Sequence, residues 1–207
     1  MYLLEDDKPL PKHEAVVFQL KAHRFVFEDT RYFGRLTLET GGIEALGPEP
    51  LSADFALKPF KEALGRSAQS IKVKLLDQSI VAGIGNIYAS EALFRARISP
   101  KLAARRLDQQ QAKRLLSSIR ETLDRAITFG STVPLNYAGE SGRDGLFYYG
   151  ASPEASRYHE RLQVYDREGL PCFRCGTPIR RIVQAVRSTF FCPVCQSSRA
   201  KSRGESV

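Results

Sequence analysis

Residues 75–100 read LLDQSIVAGIGNIYASEALFRARISP, and the reading of this stretch governs that of the whole chain. An apolar-periodic segment ends near Asp77, and a short run of Ile80, Val81 and Ala82 follows. Gly83-Ile84-Gly85-Asn86 then interrupts the pattern before Ile87 to Phe94 resumes it at helical spacing. The pattern predicts two helices joined by two tight turns. Gly83 and Gly85 supply backbone angles that a Cβ resists and permit close approach of another backbone. Asn86 is a favourable helix N-cap, which predicts outward-pointing amides at Ile87 and Tyr88, at the positive end of a helix dipole. Such an end binds anions, phosphate above all. The same turn also serves as a plain helix connector, so its meaning depends on what surrounds it.

The 207 residues are 43% hydrophobic and 26% charged, enough to bury a core in one large or two small domains. No apolar run approaches a membrane span of roughly 20 residues. The opening MYLLEDDK has neither the basic nor the apolar region of a signal peptide. We therefore expect a soluble, cytoplasmic protein. The net charge of +8 is uneven: residues 1–70 carry −2, residues 71–168 carry +4 and residues 169–207 carry +6. That distribution points to a polyanionic partner, because neutralising phosphates releases counterions and gives sequence-independent affinity. A basic tail that only aids solubility is the plainer alternative.

All four cysteines fall near the C-terminus, as Cys172-x2-Cys175 and Cys192-x2-Cys195 with 16 residues between the pairs. Two C-x2-C knuckles present four thiolates to one tetrahedral ion, and Gly176 permits the tight turn after the first. One structural zinc is expected, with no open position for water. A pair of disulfides would need an oxidising compartment.

Along the chain, Ala15 to Leu20 and His23 to Glu28 read as a hairpin turning at Lys21-Ala22, Met1 to Leu4 as the end of a further strand, and Gly34 to Leu38 as another. Gly41-Gly42 and Gly47 to Pro50 mark a linker, and a helix is expected from about Ser52, interrupted by Pro59. Asp108 to Phe129 is the clearest helix: Asp108 and Gln111 form a capping box, Ala112, Leu115, Leu116, Ile119, Leu123 and Ile127 a stripe, and Gly130 closes it. Ahead of it, Arg95, Arg97, Lys101, Arg105 and Arg106 suit a solvated connector and a phosphate contact equally well. Residues 131–162 form a long glycine- and aromatic-rich segment. Leu162 to Tyr165 reads as extended. Ile179 to Val186 and Ser188 to Phe191 suggest a hairpin with Arg187 near its turn, held out toward a partner such as a DNA groove or exposed as an ordinary turn residue. The tail 198–207 is expected to be disordered.

Three stretches together resemble the formamidopyrimidine-DNA glycosylase and endonuclease VIII family, its formamidopyrimidine branch in particular. Residues 75–100 resemble its helix-two-turn-helix segment. LQVYDREGLPCFRCGTPIRR (162–181) with STFFCPVCQ (188–196) resembles its zinc finger, and EDTRYFGRL (28–36) with LGPEPLSADF (46–55) the end of its β-sandwich and the linker. The resemblance implies an α+β fold: an incomplete N-terminal β-sandwich (1–50), a helix-two-turn-helix domain with a lesion-capping-type loop (51–165) and a C-terminal zinc-finger hairpin (166–197). It implies base-excision repair of double-stranded DNA containing oxidised purines or abasic sites, by a monomeric, nucleoid-associated glycosylase with AP lyase activity that flips the damaged nucleotide. By match to the family motifs, Lys72, Asn86 and Arg187 are the phosphate-gripping positions, Arg31 the phosphate contact from the sandwich side, and Phe33 the wedge in the base stack.

Two departures stand out. Asp29-Thr30-Arg31-Tyr32-Phe33-Gly34 replaces the usual Asp-Pro-Arg-Arg-Phe-Gly, so Tyr32 stands where an arginine normally meets the orphaned base. Family members also use an amino-terminal proline, the glutamate after it and a later lysine, and this chain begins past the place of all three, with Tyr2 after Met1. No catalytic residue is assigned, and we expect negligible glycosylase activity with zinc-dependent DNA binding retained. A non-catalytic binder of damaged or bent DNA is the alternative from another class, and an accessory protein of the ribosome or RNA polymerase a third.

Overall fold

A computed structural model describes residues 2–29, 32, 34–129 and 162–197. The described residues divide into two compact units, one within Met1–Thr40 and the other comprising Gly41–Thr128 with the finger residues 162–197. The helical segment and the finger thus share one unit, which also includes the linker.

The first unit is an antiparallel sheet of three strands in the order β1-β3-β2: β1 (Tyr2–Glu5), β2 (Glu14–Gln19) and β3 (His23–Glu28). The β-branched and aromatic run EAVVFQ pairs with HRFVFE around Lys21-Ala22, as its alternation predicts, and the amide of Leu20 donates to the His23 carbonyl at 2.8 Å. The expected strand over Gly34 to Leu38 does not form; β1 provides the third strand instead. Leu3, Phe25 and Phe18 lie in one row across the three strands, and both outer members remain exposed. Among the described residues of this unit Val26 is the only buried apolar side chain.

The second unit is helical with an appended hairpin. A short helix α1 (Gly41–Glu44) precedes the linker, and α2 runs from Leu57 to Gly65. The helix expected from Ser52 therefore starts five residues later, and Pro59 does not interrupt it. Proline fits the first turn, where an amide has no intrahelical acceptor. α3 (Ile71–Lys74), α4 (Asn86–Arg95) and α5 (Gln109–Phe129) follow. The capping box of α5 is present in both directions: the Asp108 amide donates to Gln111 Oε1 at 3.0 Å and the Gln111 amide to Asp108 Oδ1 at 2.7 Å. Ala112, Leu115, Leu116 and Ile119 of its stripe are buried with Phe55, Phe60, Leu64, Ile71 and Leu93 in one core. Ile127 is 69% exposed, so the stripe leaves the core before the helix ends; Gly130 lies outside the described residues.

A second core is built from Phe94, Val164, Cys172, Ile179, Phe190 and Cys192. It joins α4 to the hairpin of β4 (Arg180–Gln184) and β5 (Arg187–Phe191). Ala185 and Val186 form the two-residue turn with φ of 46° and 54°, the backbone of a type I′ hairpin. The tip is therefore Val186, 98% exposed, and Arg187 opens β5.

Candidate nucleic-acid interface and metal centre

The turns between α3 and α4 are held by side chains that the sequence pattern does not mark. Gln78 Nε2 donates to the Ile84 carbonyl at 3.1 Å, and its Oε1 accepts from the Gly83 amide at 2.8 Å. Asp77 accepts from the amide and hydroxyl of Ser79 and pairs with Lys74 at 2.6 Å. Those bonds hold the Asp77 carboxyl down at about 2, the Lys74 bond contributing most. Gly47 packs so closely under this turn that a Cβ would sit 2.6 Å from the Ser79 carbonyl oxygen. Gly83 has φ of 75°, as its place in the turn requires. Gly85 is extended at φ −94°, so the expectation of a special backbone angle there is not met. A Cβ at either position would meet no protein atom within 4 Å, so neither glycine makes room for a neighbour within this chain.

Asn86 is not the N-cap. Gly85 takes that position and Asn86 is the first residue of α4, because its side chain is engaged elsewhere. Asn86 Nδ2 donates to the Ser188 carbonyl on β5 at 2.9 Å, and Asn86 Oδ1 accepts from the Lys72 ammonium. One residue thereby ties α3, α4 and the hairpin together. Gln184 adds a second tie, donating to Ser70 Oγ at 2.9 Å. The intrahelical bonds of α4 begin with Ala89 to Gly85, so the amides of Asn86 and Ile87, in the first turn, have no acceptor within the helix.

Lys72 is completely buried. Burial first, and the positive charge of Arg187 second, lower its amine to about 8. Lys72, Asn86 and Arg187, singled out from the sequence, thus lie together on three elements. Among the described residues no carboxylate pairs with Lys72 or Arg187, so the cluster concentrates positive charge. Arg31 and Phe33 lie outside the described residues, as does the segment 131–161. Tyr32 is exposed, with its hydroxyl 3.1 Å from His13 Nδ1.

Glu91 was not singled out, although it ends the GIGNIYASE run. Its buried carboxylate accepts from three consecutive amides, those of Gln163, Val164 and Tyr165, each at 2.9 Å. The chain curls around this acid, so the extended reading of Leu162 to Tyr165 is corrected to a turn. Burial pushes the carboxyl up while the three amides pull it back.

The cysteine sulfurs lie within 4.8 Å of one another, with Cys172 and Cys195 at 3.9 Å and Cys175 and Cys192 at 3.5 Å. Zinc–sulfur bonds of about 2.3 Å in a tetrahedron require sulfurs about 3.8 Å apart, so the cluster fits one zinc ion. The amides of Arg174 and Cys195 each lie 3.4 Å from a knuckle sulfur, and Gly176 turns the first knuckle at φ 72°. Hydrogen bonds from Thr177 bring Cys175 down to about 6, while burial pushes Cys192 and Cys195 up. Four thiolates close the coordination, so the ion is structural. The finger is fastened to α4 and the segment just after it: Arg174 stacks 4.3 Å over Phe94 and donates to its carbonyl at 3.1 Å, and Gln196 donates to the Ile98 carbonyl at 2.9 Å.

No helix among the described residues is long and apolar enough to cross a membrane. Residues 46–135 match the formamidopyrimidine-DNA glycosylase H2TH domain, and residues 169–197 match the zinc finger found in FPG and IleRS. A formamidopyrimidine-DNA glycosylase from Herpetosiphon aurantiacus is 45% identical over 203 residues, which are 95% of this chain and 70% of that protein. The crystal structure of the MutM (Fpg) protein from Thermus thermophilus aligns with a TM-score of 0.77 at 39% identity, covering 97% of this chain and 74% of the other. Lactococcus lactis Fpg, solved in complex with DNA containing an abasic site, aligns with a TM-score of 0.77 at 32% identity over 95% of this chain and 71% of the other. With the family model, the curated relative and the solved structures in agreement, the chain belongs to the formamidopyrimidine-DNA glycosylase family.

Proposed function

We propose that this chain binds damaged duplex DNA for base-excision repair of oxidised purines, and that Arg187 and the amides of Asn86 and Ile87 grip the sugar-phosphate backbone beside the lesion, with the buried charge of Lys72 attracting it from beneath. The carrying observation is the Lys72–Asn86–Ser188 connection, which brings a buried ammonium and an exposed guanidinium together with no carboxylate paired to either among the described residues. A phosphate supplies the missing counterion, and charge-assisted bonds to it are the strong kind. Zinc fixes the hairpin that carries Arg187. By the family resemblance Arg31 adds a phosphate contact and Phe33 the wedge that fills the space of the flipped nucleotide.

We infer further that the 207 residues, assayed by themselves, bind without excising. Base release by an amine nucleophile needs a free amine set against the sugar. Lys72 is committed to Asn86 and buried, and Pro9 and Pro11 are internal, with no free amine.

Both parts are tested together. Fluorescence anisotropy with an abasic-site duplex and its undamaged counterpart should show preferential binding to the former; equal affinity at moderate salt removes the damage-specific reading. Borohydride treatment with an 8-oxoguanine duplex should trap no covalent adduct, and a stoichiometric adduct would falsify the inactivity.

A further inference from the structure

The basic connector between α4 and α5 has no part in the grip described so far. Lys101, Arg105 and Arg106 are exposed, as is Arg66, the C-cap of α2. The backbone that presents them is fixed on both sides. The Ala104 amide donates to the Gln69 carbonyl at 2.8 Å and the Arg105 amide to the Ser67 carbonyl at 2.9 Å. Ser70 and Ala103 form an antiparallel bridge, and Ala104–Arg106 closes as a 3-10 turn. The arginines are thus zipped to the segment that leads directly into α3 and Lys72. At the other end, Lys101 Nζ lies 5.2 Å from the centre of the Phe191 ring on β5, and the Pro100 carbonyl accepts from the Lys72 amide at 3.4 Å.

Among the described residues no carboxylate pairs with Lys101, Arg105, Arg106 or Arg66. Arg95, on the preceding helix, does have a partner, Glu121 at 3.3 Å. Like charges fixed side by side repel, and an anion placed between them relieves that repulsion. Cations carried on a fixed backbone that leads into Lys72 suit a polyanion such as the duplex backbone.

We propose that Arg105 and Arg106, flanked by Arg66 and Lys101, form a second phosphate track that engages the DNA backbone on one flank of the lesion. The proposal rests on the DNA-binding reading above and extends its footprint. Contacts of this kind position the duplex without reading bases, so the track adds affinity and salt dependence and leaves lesion preference unchanged.

The test measures dissociation constants of the full chain across a potassium chloride series, using an abasic-site duplex with long arms and two versions shortened on one side or the other. Arg105→Ala/Arg106→Ala should reduce the slope of log Kd against log salt by about 2, close to 0.9 per lost phosphate contact. It should also cancel the affinity advantage of the long duplex over one of the two shortened ones, with an unchanged preference for damaged over intact DNA. Arg105→Lys/Arg106→Lys should keep most of the slope. Lys12→Ala/Lys21→Ala, with the same loss of charge on exposed residues of the separate amino-terminal unit, should leave it in place. An unchanged slope in the arginine double variant, or an equal fall in the control, overturns the track alone. Failure of the wild-type chain to bind any of the duplexes overturns both this proposal and the reading beneath it.

Discussion

The side-chain amide of Asn86 donates to the backbone carbonyl of Ser188 at 2.9 Å, across 102 positions of sequence, while its oxygen holds the buried Lys72 ammonium. Asn86 therefore positions two cations as well as opening a helix. Asn86→Ala leaves a buried ammonium without its acceptor, and bonds to charged groups contribute about 1.5–3 kcal/mol, so DNA affinity should fall by about 10-fold or more. Asn86→Asp keeps a partner for Lys72 but sets a carboxylate against the Ser188 carbonyl and the incoming phosphate. Its melting temperature should stay near wild type while its affinity falls below that of the alanine variant. Calorimetry paired with anisotropy checks the two effects separately.

Lys72 should make both stability and binding depend on pH, with opposite signs. Burial and Arg187 bring its amine from 10.5 to about 8 in the folded chain. Between those values the unfolded chain holds the extra proton, so this group's contribution to stability rises as pH rises from about 8 to 10.5. A bound phosphate favours the protonated amine, so DNA affinity should weaken as pH climbs through about 8. Lys72→Met should flatten both trends, as chemical denaturation and anisotropy at matched pH would show.

Glu91 fastens the start of the finger to α4 through three amides. Glu91→Gln replaces one acceptor oxygen by a donor facing those amides and leaves at least one buried N–H unsatisfied. The expected cost is about 2–3 kcal/mol, equivalent to a melting-temperature loss of roughly 4–12 °C for a chain of this size. Differential scanning calorimetry of the zinc-loaded protein measures it.

Zinc removal should act on one of the two cores of the helical unit. Cys172 and Cys192 belong to the core that contains Phe94 and Ile179, whereas the stripe of α5 belongs to the other. Metal binding supplies much of the folding free energy of so small a module. Chelation should release one zinc per chain and abolish DNA binding. Amide-exchange protection should be lost across residues 164–196 and kept in residues 112–119, and adding zinc should restore both. Loss of protection in both regions at once would show a single cooperative core.

Much of this protein is written in local patterns. The spacing of Cys172, Cys175, Cys192 and Cys195 specifies a tetrahedral site, because two knuckles need only a few residues each to set their sulfurs. The box of Asp108 and Gln111 fixes the start of α5 through bonds spanning three residues, and periodicity gives most of its buried face. Gly83 marks a turn because a left-handed backbone favours glycine.

Long-range partners were not legible in the same way. Asn86 is a good N-cap by composition, yet its side chain serves Lys72 and Ser188; Glu91 looks like an exposed helix acid, yet it is buried under three amides. In each case one partner is a backbone carbonyl or amide, which every residue type carries and no residue type announces. Sequence by itself determined the zinc knuckles, the helix pair and the family likeness, since these depend on spacing and periodicity. Only the tertiary structure decided which side chains hold the hairpin to the helices and which charges remain without a counterion, because those follow from packing between segments about 70 to 100 residues apart.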